Sequence, residues 1–487
     1  MHQPVGDGDA RAAYAVEAVR AAEQQLMAVT PEGALMQRAA AGLASACADL
    51  LGGVYGRRLL VLAGSGSNGG DALFAAARLV RRGARAEVVL LSPDDKAHPG
   101  GLAAVLSAGG RLVDGVDHTG RVDLVLDGIV GIGGSGGLRR DAAAAWAHAR
   151  TLGCPVVAVD VPSGIGVDDG TVDGDCVRAD LTVTFGAYKV GLLVGAGAER
   201  AGPVHLVDIG LDPYLGGPTV SAPTALTVAR WLAGLVPGAS SHKYTRGVVG
   251  VAAGSAEFTG AGLLAVAGAS CGLAGMVRYA GPDEVADLVR VRHPEVVISQ
   301  GKVQAWVVGS GGGGDAGEVL ARARRDEVPL VVDADALQYV NGPLGVPALL
   351  TPHAGELARM LDVERGQVER DPLRSVSAAA DRFGAAVLLK GNRTLVAGPA
   401  QDQARVVQVN TTGTPWLATA GAGDVLAGLC GALLAGLPDD PVRAGTLAAW
   451  LHGAAATYAG GGGPVTATDV AAALPAVIRD VLREGGR

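Results

Sequence analysis

Aromatic and charged residues are scarce in this sequence. Aromatic residues make up 3% of the 487 residues and charged residues 18%, and the formal net charge is -8. Proteins that bind the phosphodiester backbone carry basic patches, often with aromatic residues among them. No such patch is visible here, so we expect no nucleic-acid partner.

Cysteine is also rare. The five cysteines are odd in number and never form a C-x-x-C pair, which argues against a disulfide framework and against a thiolate zinc site. Residues 1–20 carry charges where a signal peptide needs an apolar segment, so export is not indicated. These two observations predict a reducing, cytoplasmic location.

One stretch is long enough to be tested as a membrane span. Residues 258–277 contain no charge over 20 positions, but five of those positions are glycine. Glycine, alanine and hydroxyl residues make the stretch only weakly hydrophobic, which favours a buried helix packed through small residues. We therefore expect no membrane partner.

Glycine and aliphatic residues are abundant by contrast. There are 76 glycines, and hydrophobic residues make up 49% of the chain, a composition typical of α/β folds with many tight strand-to-helix turns. The length suggests two or three domains, with two as the working number. Residues 212–225 contain three prolines and two adjacent glycines without periodicity. This pattern predicts a linker at 214–225 between domains 1–213 and 226–487.

Short apolar runs alternate with helical patterns in both halves. Predicted strands lie at 59–63, 86–91, 122–127, 155–160, 181–185 and 203–207, and then at 248–253, 305–309, 329–335 and 386–391. Such alternation predicts parallel sheets with right-handed crossovers. Asp127 and Asp160 each end a predicted strand, and open α/β sheets bind their ligands at the carboxyl ends of strands.

The first half has a glycine-rich loop after its first predicted strand. Gly64 to Gly69 read G-S-G-S-N-G, and Asp94 lies at the end of the next strand, where a dinucleotide-binding domain would hold a ribose hydroxyl. This motif alone fits either dinucleotide binding or an ordinary tight turn.

Three segments together are more specific. GSGSNGGD (64–71), DGIVGIGGSGG (127–137) and VDVPSG (159–164) follow strands in this order, and they resemble the site segments of the NAD(P)H-hydrate epimerases. The resemblance covers about residues 12–212 and implies a Rossmann-like three-layer α/β/α domain. Members of that family interconvert the R and S forms of hydrated NADH and NADPH and bind a potassium ion.

The resemblance assigns residues to this first site. It implies Asn68, Asp127 and Ser163 as potassium ligands, and hard oxygen donors of this kind suit such a cation. It implies substrate contacts by Ser67, Asn68, Gly69, Gly70, Asp71, Gly131, Ile132, Gly133, Gly134, Ser135, Gly136, Gly137 and Asp160. Asp160 is the candidate acid or base, because inverting a hydroxyl-bearing carbon requires proton movement beside it. Ser67 stands where the family has a second Asn and Ala72 where it has Gly, so a domain that binds without turnover is the alternative.

A second glycine loop lies in the other half, in residues 410–436. Gly421 to Asp424 read G-A-G-D and precede an apolar helix. Small residues and a helix N-terminus can hold a phosphate, and Asp424 is a candidate base beside it. The alternative is a structural strand-to-helix turn.

Four other segments accompany this loop. TGAG (259–262), GSGGG (309–313), TPHAGE (351–356) and KGNRT (390–394), with GAGD, resemble the ADP-dependent NAD(P)H-hydrate dehydratases, a branch of the ribokinase-like superfamily. The resemblance spans residues 226–487. It implies ADP contacts by Lys390, Gly391, Asn392, Arg393, Thr394 and Gly423, and substrate contacts by Ala261, Gly311, His353 and Asp424.

Each of these residues also has a structural explanation. His353 could cap the helix that follows it, Lys390 could be a solvated strand end, and Gly311 could form part of a turn.

Magnesium is expected to bridge the phosphates of the nucleotide with few protein ligands.

The sequence therefore predicts a bifunctional repair enzyme, an isomerase and a lyase. It would equilibrate the two epimers of the hydrated cofactor and dehydrate the S form with ADP, and we expect a homo-oligomer. A vitamin-precursor kinase that uses ATP would also need GAGD and Asp424. A nucleotide-sensing protein without catalysis is the third possibility.

Overall fold

The computed structural model describes residues 10–91, 96–134, 136–400 and 405–485. The chain divides into two compact units, the first formed mainly by residues 12–220 and the second mainly by the residues from 221 onward. Each unit is an α/β structure. Among the described residues, none of the helices combines the length and apolar character needed to cross a lipid bilayer.

The first unit contains strands β1 (Ala10–Tyr14), β2 (Arg58–Ala63), β3 (Arg85–Leu90), β4 (Arg111–Leu112), β5 (Leu124–Gly128), β6 (Val156–Val159), β7 (Leu181–Phe185), β8 (Tyr188–Lys189) and β9 (Val204–Val207). Its helices are α1 (Val16–Met27), α2 (Ala34–Leu50), α3 (Ser67–Arg81), α4 (Pro99–Ser107), α5 (Arg140–Ala149) and α6 (Gly195–Arg200). Short 3-10 turns lie at Val116–His118, Arg150–Leu152, Val190–Leu192 and Asp212–Tyr214.

The main sheet of this unit is parallel. Its strand order is β4-β3-β2-β5-β6-β7-β9. Apolar runs such as Leu59–Ala63 are buried on both faces, with helices α2 and α3 against one of them. The chain leaves β2 toward β3 on one side and later returns beside β2 as β5, so the order reverses between β2 and β5. Ligands of open α/β sheets bind at such a reversal, beyond the carboxyl ends of the strands.

The second unit contains strands β10 (Val220–Pro223), β11 (Val248–Ala252), β12 (Met276–Tyr279), β13 (Val297–Ile298), β14 (Ala305–Val308), β15 (Leu330–Val332), β16 (Ala348–Leu350), β17 (Ala386–Leu389), β18 (Thr394–Ala397) and β19 (Val407–Asn410). Its helices are α7 (Ala225–Ala233), α8 (Thr259–Ala269), α9 (Asp283–Arg292), α10 (Ala316–Arg324), α11 (Ala354–Leu361), α12 (Arg365–Arg370), α13 (Pro372–Phe383), α14 (Ala422–Gly436), α15 (Pro441–Gly460) and α16 (Ala467–Gly485). Further 3-10 turns are Gly313–Asp315, Ala334–Tyr339 and Pro415–Leu417.

The order of the strands from β11 to β19 is β13-β12-β11-β14-β15-β16-β17-β18-β19. The strands from β13 to β17 are parallel, whereas β18 is antiparallel to both β17 and β19. The sequence analysis predicted parallel strands, and the two antiparallel pairings of β18 differ from that prediction. The order reverses between β11 and β14, which marks the second place where an α/β sheet would bind a ligand.

Helix α14 lies in the core of the second unit. Its residues from Val425 to Ala435 are all buried, and they pack with α8, α15 and α16 in one large apolar cluster. α14 therefore carries Asp424, at its N-terminus, on a rigid element.

Two sequence predictions about segments differ from the structure. The predicted linker contains β10, and α7 begins at Ala225. The uncharged stretch from residue 258 forms α8 only as far as Ala269, and part of the remainder is strand β12.

Candidate active sites

The glycines after β2 allow close backbone approach at the reversal of the first sheet. A Cβ on Gly64 would lie 1.9 Å from the carbonyl oxygen of Ile129, and a Cβ on Gly69 would lie 2.2 Å from the carbonyl oxygen of Gly64. Larger residues therefore cannot occupy these positions without moving the backbone. The loop after β2 is thereby held against the loop after β5.

Asp127 and Ser163 form one hydrogen-bonded group between β5 and the turn after β6. Both are fully buried. The Ser163 hydroxyl donates to Asp127 Oδ1 at 2.7 Å, and the Ser163 backbone N–H donates to Asp127 Oδ2 at 2.8 Å. Burial raises the pKa of Asp127 to about 6, against the opposing effect of these hydrogen bonds. Two of the three predicted potassium ligands are thus in contact.

Asn68 is buried in the first turn of α3. Neither its Oδ1 nor its Nδ2 has a hydrogen-bond partner within the described ranges. The Oδ1 lies 2.9 Å from where a Cβ of Gly131 would be, so it points at the loop that follows β5. A buried amide without partners is costly, and a bound group that offers it a contact would remove that cost.

Asp160 is held by a buried lysine. Lys189 Nζ donates to Asp160 Oδ1 at 2.5 Å, and Thr184 Oγ1 donates to the same oxygen at 3.0 Å. Lys189 is 1% exposed. Asp160 also has a φ of +67°, a left-handed conformation that is strained for a residue with a side chain and often marks a functional site.

Sequence reasoning missed Lys189, Thr184 and Glu23 as parts of this site. Lys189 lies within the residues that the resemblance covers, 12–212, but in none of the three site motifs. Glu23 is on α1, where a charged residue on an amphipathic helix is usually solvated. Its pKa is raised mainly by burial, with a contribution from Asp160, while Lys189 and Arg20 oppose the rise.

The other predicted residues of the first site are more dispersed. Ser67 is exposed at the start of α3, and Gly70 packs against the ring of His98. The carbonyl of Ile132 accepts a hydrogen bond from Arg20 Nη2 at 3.3 Å. Gly133, Gly134, Gly136 and Gly137 continue this loop, and Gly136 has a φ of +71°. Ser135 and Asp94 lie outside the described residues.

In the second unit, polar side chains follow four adjacent parallel strands. Ser310, Asp333, Thr351 and Lys390 come after β14, β15, β16 and β17. Asp333 is at their centre: Ser310 Oγ donates to its Oδ2 at 2.7 Å, Thr351 Oγ1 donates to its Oδ1 at 2.8 Å, and Lys390 Nζ lies 2.9 Å from Oδ1. Asp333 is 1% exposed. These contacts fix the ammonium group of Lys390 at the sheet edge.

Asp424 faces this group from the first turn of α14. Gly421 caps the helix with a φ of +85°, a conformation that favours glycine. Burial is the largest cause that raises the pKa of Asp424 to about 7, followed by the charge of Asp333, while the charge of Lys390 opposes the rise. A carboxyl with this pKa can accept a proton near neutral pH.

The TPHAGE and KGNRT segments are adjacent in space. His353 and Lys390 form a parallel backbone bridge, and the Lys390 N–H donates to the Pro352 carbonyl at 2.8 Å. His353 caps α11, since its Nδ1 accepts the N–H groups of Gly355 and Glu356 at 3.0 and 3.1 Å. The capping explanation of His353 is therefore confirmed. The solvated-end explanation of Lys390 is wrong, because Lys390 is ion-paired and its side chain is 20% exposed.

The remaining predicted residues surround the same edge. Gly311 has a φ of +59°, and a Cβ there would lie 2.6 Å from the Cβ of Ala261. A Cβ on Gly423 would lie 3.5 Å from Lys390 Nζ. Gly391, Asn392 and Arg393 form the turn between β17 and β18, and Thr394 Oγ1 donates to the Gly391 carbonyl at 3.1 Å.

Ser310, Asp333, Thr351 and Glu356 were not among the predicted site residues. One signal could have found Asp333, because the predicted strand at 329–335 runs into this carboxylate just as other strands run into Asp127 and Asp160. His452 on α15 was also missed. Burial lowers its pKa to about 4, and it has a backbone hydrogen bond with Ala422, so a neutral imidazole supports the glycine loop.

Comparison with known families matches both halves of the chain. Residues 32–191 match the family described as YjeF-related protein N-terminus, and residues 249–475 match the NAD(P)H-hydrate dehydratase family. The bifunctional NAD(P)H-hydrate repair enzyme Nnr of Mycobacterium tuberculosis H37Rv is 47% identical over 450 residues, which cover 88% of this chain and 91% of that protein. This chain belongs to the bifunctional NAD(P)H-hydrate repair enzymes.

Other members of the repair-enzyme family are also similar over nearly their whole length. The repair enzyme of Salinibacter ruber is 35% identical over 520 residues, covering 94% of each chain. Among solved structures, the ADP/ATP-dependent NAD(P)H-hydrate dehydratase of Bacillus subtilis, co-crystallised with ATP and Mg²⁺, is 27% identical with a TM-score of 0.48, covering 53% of this chain and 97% of that one. The predicted family, the two α/β folds and the assignment as an enzyme are confirmed.

Proposed function

We propose that the first unit interconverts the R and S forms of hydrated NADH or NADPH, and that the second unit dehydrates the S form with ADP. The relatives that cover this chain almost completely are named for repair of this damaged cofactor. The observation that carries the second activity is Asp424, a carboxyl with a pKa near 7 at a helix N-terminus, beside the Lys390–Asp333 ion pair.

The dehydration needs an activated leaving group, because hydroxide leaves a carbon atom poorly. Asp424 takes the proton of the substrate hydroxyl, whose oxygen attacks the β-phosphorus of ADP, and AMP leaves. The ring nitrogen then expels phosphate with its electron pair, and loss of a proton from the neighbouring carbon restores the ring double bond. NADH or NADPH, AMP and phosphate are the products.

The surrounding residues position these groups. The N–H groups at the start of α14 are left unsatisfied by the helix and point at an incoming phosphate. Lys390, held by Asp333 and Glu356, supplies a positive charge beside the same loop. We assign ADP contacts to Lys390–Thr394 and Gly423, and contacts with the hydrated ring to Ala261, Gly311, His353 and Asp424.

Two cations belong to the proposal. In the first unit, Asn68, Asp127 and Ser163 would hold potassium. The buried amide oxygen of Asn68, which has no hydrogen-bond partner in the described part of the chain, supports this assignment. The ion would supply positive charge close to the substrate phosphates. In the second unit, magnesium would neutralise the phosphates of ADP. Within the described residues, no group of three or more His, Cys, Asp or Glu side chains could hold a metal ion.

We also propose the division into domains 1–213 and 226–487, a cytoplasmic location, and a homo-oligomeric state without nucleic-acid or membrane partners. The oligomeric state can be measured by light scattering after size-exclusion chromatography. A monomer at micromolar concentration would contradict it.

The decisive experiment uses a mixture of both epimers of hydrated NADH with magnesium, with ADP or ATP, and with or without potassium. Recovery of both epimers as NADH with ADP, faster with potassium, is expected. Recovery that stops when the S form is exhausted would leave only the second activity. Turnover of another alcohol by ATP, without NADH formation, would support a kinase instead.

The matched variant for the second site is Asp424→Asn. We expect a loss of dehydration by at least about 100-fold, while ADP binding measured by calorimetry stays near that of the wild type. Unchanged turnover would reject Asp424 as the base.

A further inference from the structure

Four titratable side chains from separate elements meet at the carboxyl edge of the first sheet. Glu23 is on α1, Asp71 on α3, Asp160 after β6 and Lys189 on β8. Electrostatic interactions connect Asp71 with each of the other three. Three carboxyl groups therefore share the charge of one ammonium group in a largely buried space.

Lys189 has no donor left for Asp71. Its three N–H groups are accounted for by Asp160 Oδ1 at 2.5 Å, Thr184 Oγ1 at 3.0 Å and the Phe185 carbonyl at 2.9 Å. An ammonium group has three donors in total. Among the described residues, the geometry consequently gives the carboxylate of Asp160 a partner and leaves Oδ1 of Asp71 without one.

Asp71 is 8% exposed, and within the described ranges its Oδ1 is buried without a hydrogen-bond partner. An ionised oxygen in that position would be strongly unfavourable. Burial, and then the charges of Asp160 and Glu23, raise the pKa of Asp71 well above its usual range, with Lys189 opposing. The buried Oδ1 and the raised pKa both favour the protonated form of Asp71.

Three polar side chains on other elements packed near α3 have partners of their own. His98 at the start of α4 accepts the Gly101 N–H through Nδ1 at 3.1 Å. Arg38 on α2 donates to the Ile209 carbonyl at 2.7 Å, and Asp127 on β5 is bonded by Ser163. The charges that act on Asp71 are thus those of Glu23, Asp160 and Lys189, with Arg20 next to Glu23.

We propose that Asp71 and Asp160 are a reciprocal acid–base pair that opens and recloses the hydrated nicotinamide ring, Asp71 acting at the ring nitrogen and Asp160 at the hydroxyl. This inference rests on the proposed epimerase function. It changes Asp71 from a substrate contact into a catalytic residue, and it gives the two neighbouring carboxyl groups different protonation states and different roles.

The chemistry balances without any other reactant. The hydroxyl-bearing carbon is also bonded to the ring nitrogen, so the substrate is a cyclic hemiaminal. Asp160 takes the hydroxyl proton, the oxygen forms a carbonyl group, and the carbon–nitrogen bond breaks with its electron pair on nitrogen, which takes the proton of Asp71. The open form is an aldehyde with an N–H group.

Reclosure reverses each transfer on the opposite face. After rotation of the aldehyde, the nitrogen attacks the other side of the carbonyl carbon, Asp71 takes back the nitrogen proton, and Asp160 returns its proton to the oxygen. Both carboxyl groups end in their starting states. One group that gives a proton and one that accepts a proton are needed in both directions, and in the proposal Asp71 and Asp160 fill these two roles.

The test follows conversion of the isolated R form, with the ADP-dependent dehydration of the S form by the same protein as the control for folding. Asp71→Asn should lower epimerisation by about 100-fold or more and leave dehydration unchanged. In the wild type, epimerisation should fall at high pH as Asp71 loses its proton. In Glu23→Gln this fall should begin at a lower pH, because a negative charge beside Asp71 is gone.

The exposed Asp49 on α2 gives a matched control, and Asp49→Asn should keep the wild-type rate and pH profile.

An isotope experiment tests the ring opening directly. In water labelled with ¹⁸O, the first turnovers should retain the original hydroxyl oxygen. Wild-type activity in Asp71→Asn, no fall of the wild-type rate at high pH, or solvent oxygen in those first products would each overturn the acid–base pair. A wild-type protein that interconverts no epimers would instead reject the epimerase function itself.

Discussion

The proposed catalytic role of Asp424 and its effect on the stability of the folded protein oppose each other. Its pKa of about 7 in the folded protein lies above the usual 3.8 of an aspartate. The folded state therefore binds more protons than the unfolded state between these values, and the free energy of unfolding falls as pH rises through that window. The reaction needs Asp424 as a carboxylate, and ionising this carboxyl group lowers the free energy of unfolding.

This conflict predicts that Asp424→Asn stabilises the protein at pH 8. An amide cannot ionise and so avoids the unfavourable charge, and because Asp424 is partly exposed we expect a gain of about 1–2 kcal/mol. Chemical denaturation should show the gain at pH 8 and almost none near pH 4. An equal destabilisation at both pH values would contradict the argument.

The same carboxyl should control the pH dependence of dehydration. Only the carboxylate form accepts the substrate proton, so the rate at saturating ADP should rise about tenfold per pH unit below pH 7 and then level off. The charge of Asp333 is the second cause of the raised pKa. In Asp333→Asn the midpoint should consequently move to lower pH.

Steady-state rates between pH 5 and 9 would measure this midpoint in both proteins. Asp141→Asn, an exposed change in the first unit, is a control that should leave the profile unmoved. If the midpoint does not move in Asp333→Asn, the pH profile does not report the titration of Asp424.

At the scale of elements, α8 and α14 approach each other through glycine. A Cβ on Gly268 would lie 2.0 Å from the carbonyl oxygen of Val425, and a Cβ on Gly428 would lie 1.9 Å from that of Ala265. The glycines of the uncharged stretch therefore serve helix packing. Because Val425 follows Asp424, this packing also sets the position of the proposed base.

We predict that Gly268→Ala destabilises the second unit by about 1–3 kcal/mol, since the added methyl group meets backbone and not a flexible side chain. Dehydration should fall as α14 is displaced. Gly260→Ala in the same helix has nothing within 4 Å of the added Cβ and should be neutral or slightly stabilising. Thermal unfolding and turnover of both variants give the comparison, and equal behaviour of the two would refute the packing argument.

The elements predicted from sequence were those with long apolar runs. Strands such as β2, β6 and β14 were found because a buried parallel strand is apolar on both faces. β16 has only three residues and β12 contains an arginine, so neither gives a distinct pattern. The antiparallel direction of β18 is defined by its pairing with β17 and β19, and no local sequence pattern encodes that pairing.

The sites show the same limit. Asp160, Asp127 and Asp424 were found because they sit at the ends of strands or at a helix start, which are visible in the sequence. Lys189 is 29 residues from Asp160 in the chain, and Lys390 is 57 residues from Asp333. Only the order of the strands brings these partners together, so the ion pairs that tune the carboxyl groups needed the structure.

At the scale of the whole molecule, all the residues assigned to each proposed site belong to one unit. The residues of the first site lie between Arg20 and Lys189, and those of the second between Ala261 and His452. Loss of one activity should therefore leave the other intact. The two reactions are then linked only by the S epimer, which one unit makes and the other consumes.

This independence predicts complementation between separate chains. Asp71→Asn alone should convert a mixture of epimers only until the S form is exhausted, and Asp424→Asn alone should form no NADH. An equimolar mixture of the two proteins should recover both epimers completely, because the S form made by one chain is a soluble product that the other can bind. Diluting both proteins at constant substrate should lower the rate in proportion to their concentration. If the mixture stopped at the same point as Asp71→Asn alone, the epimer would have to pass between units of one chain without release.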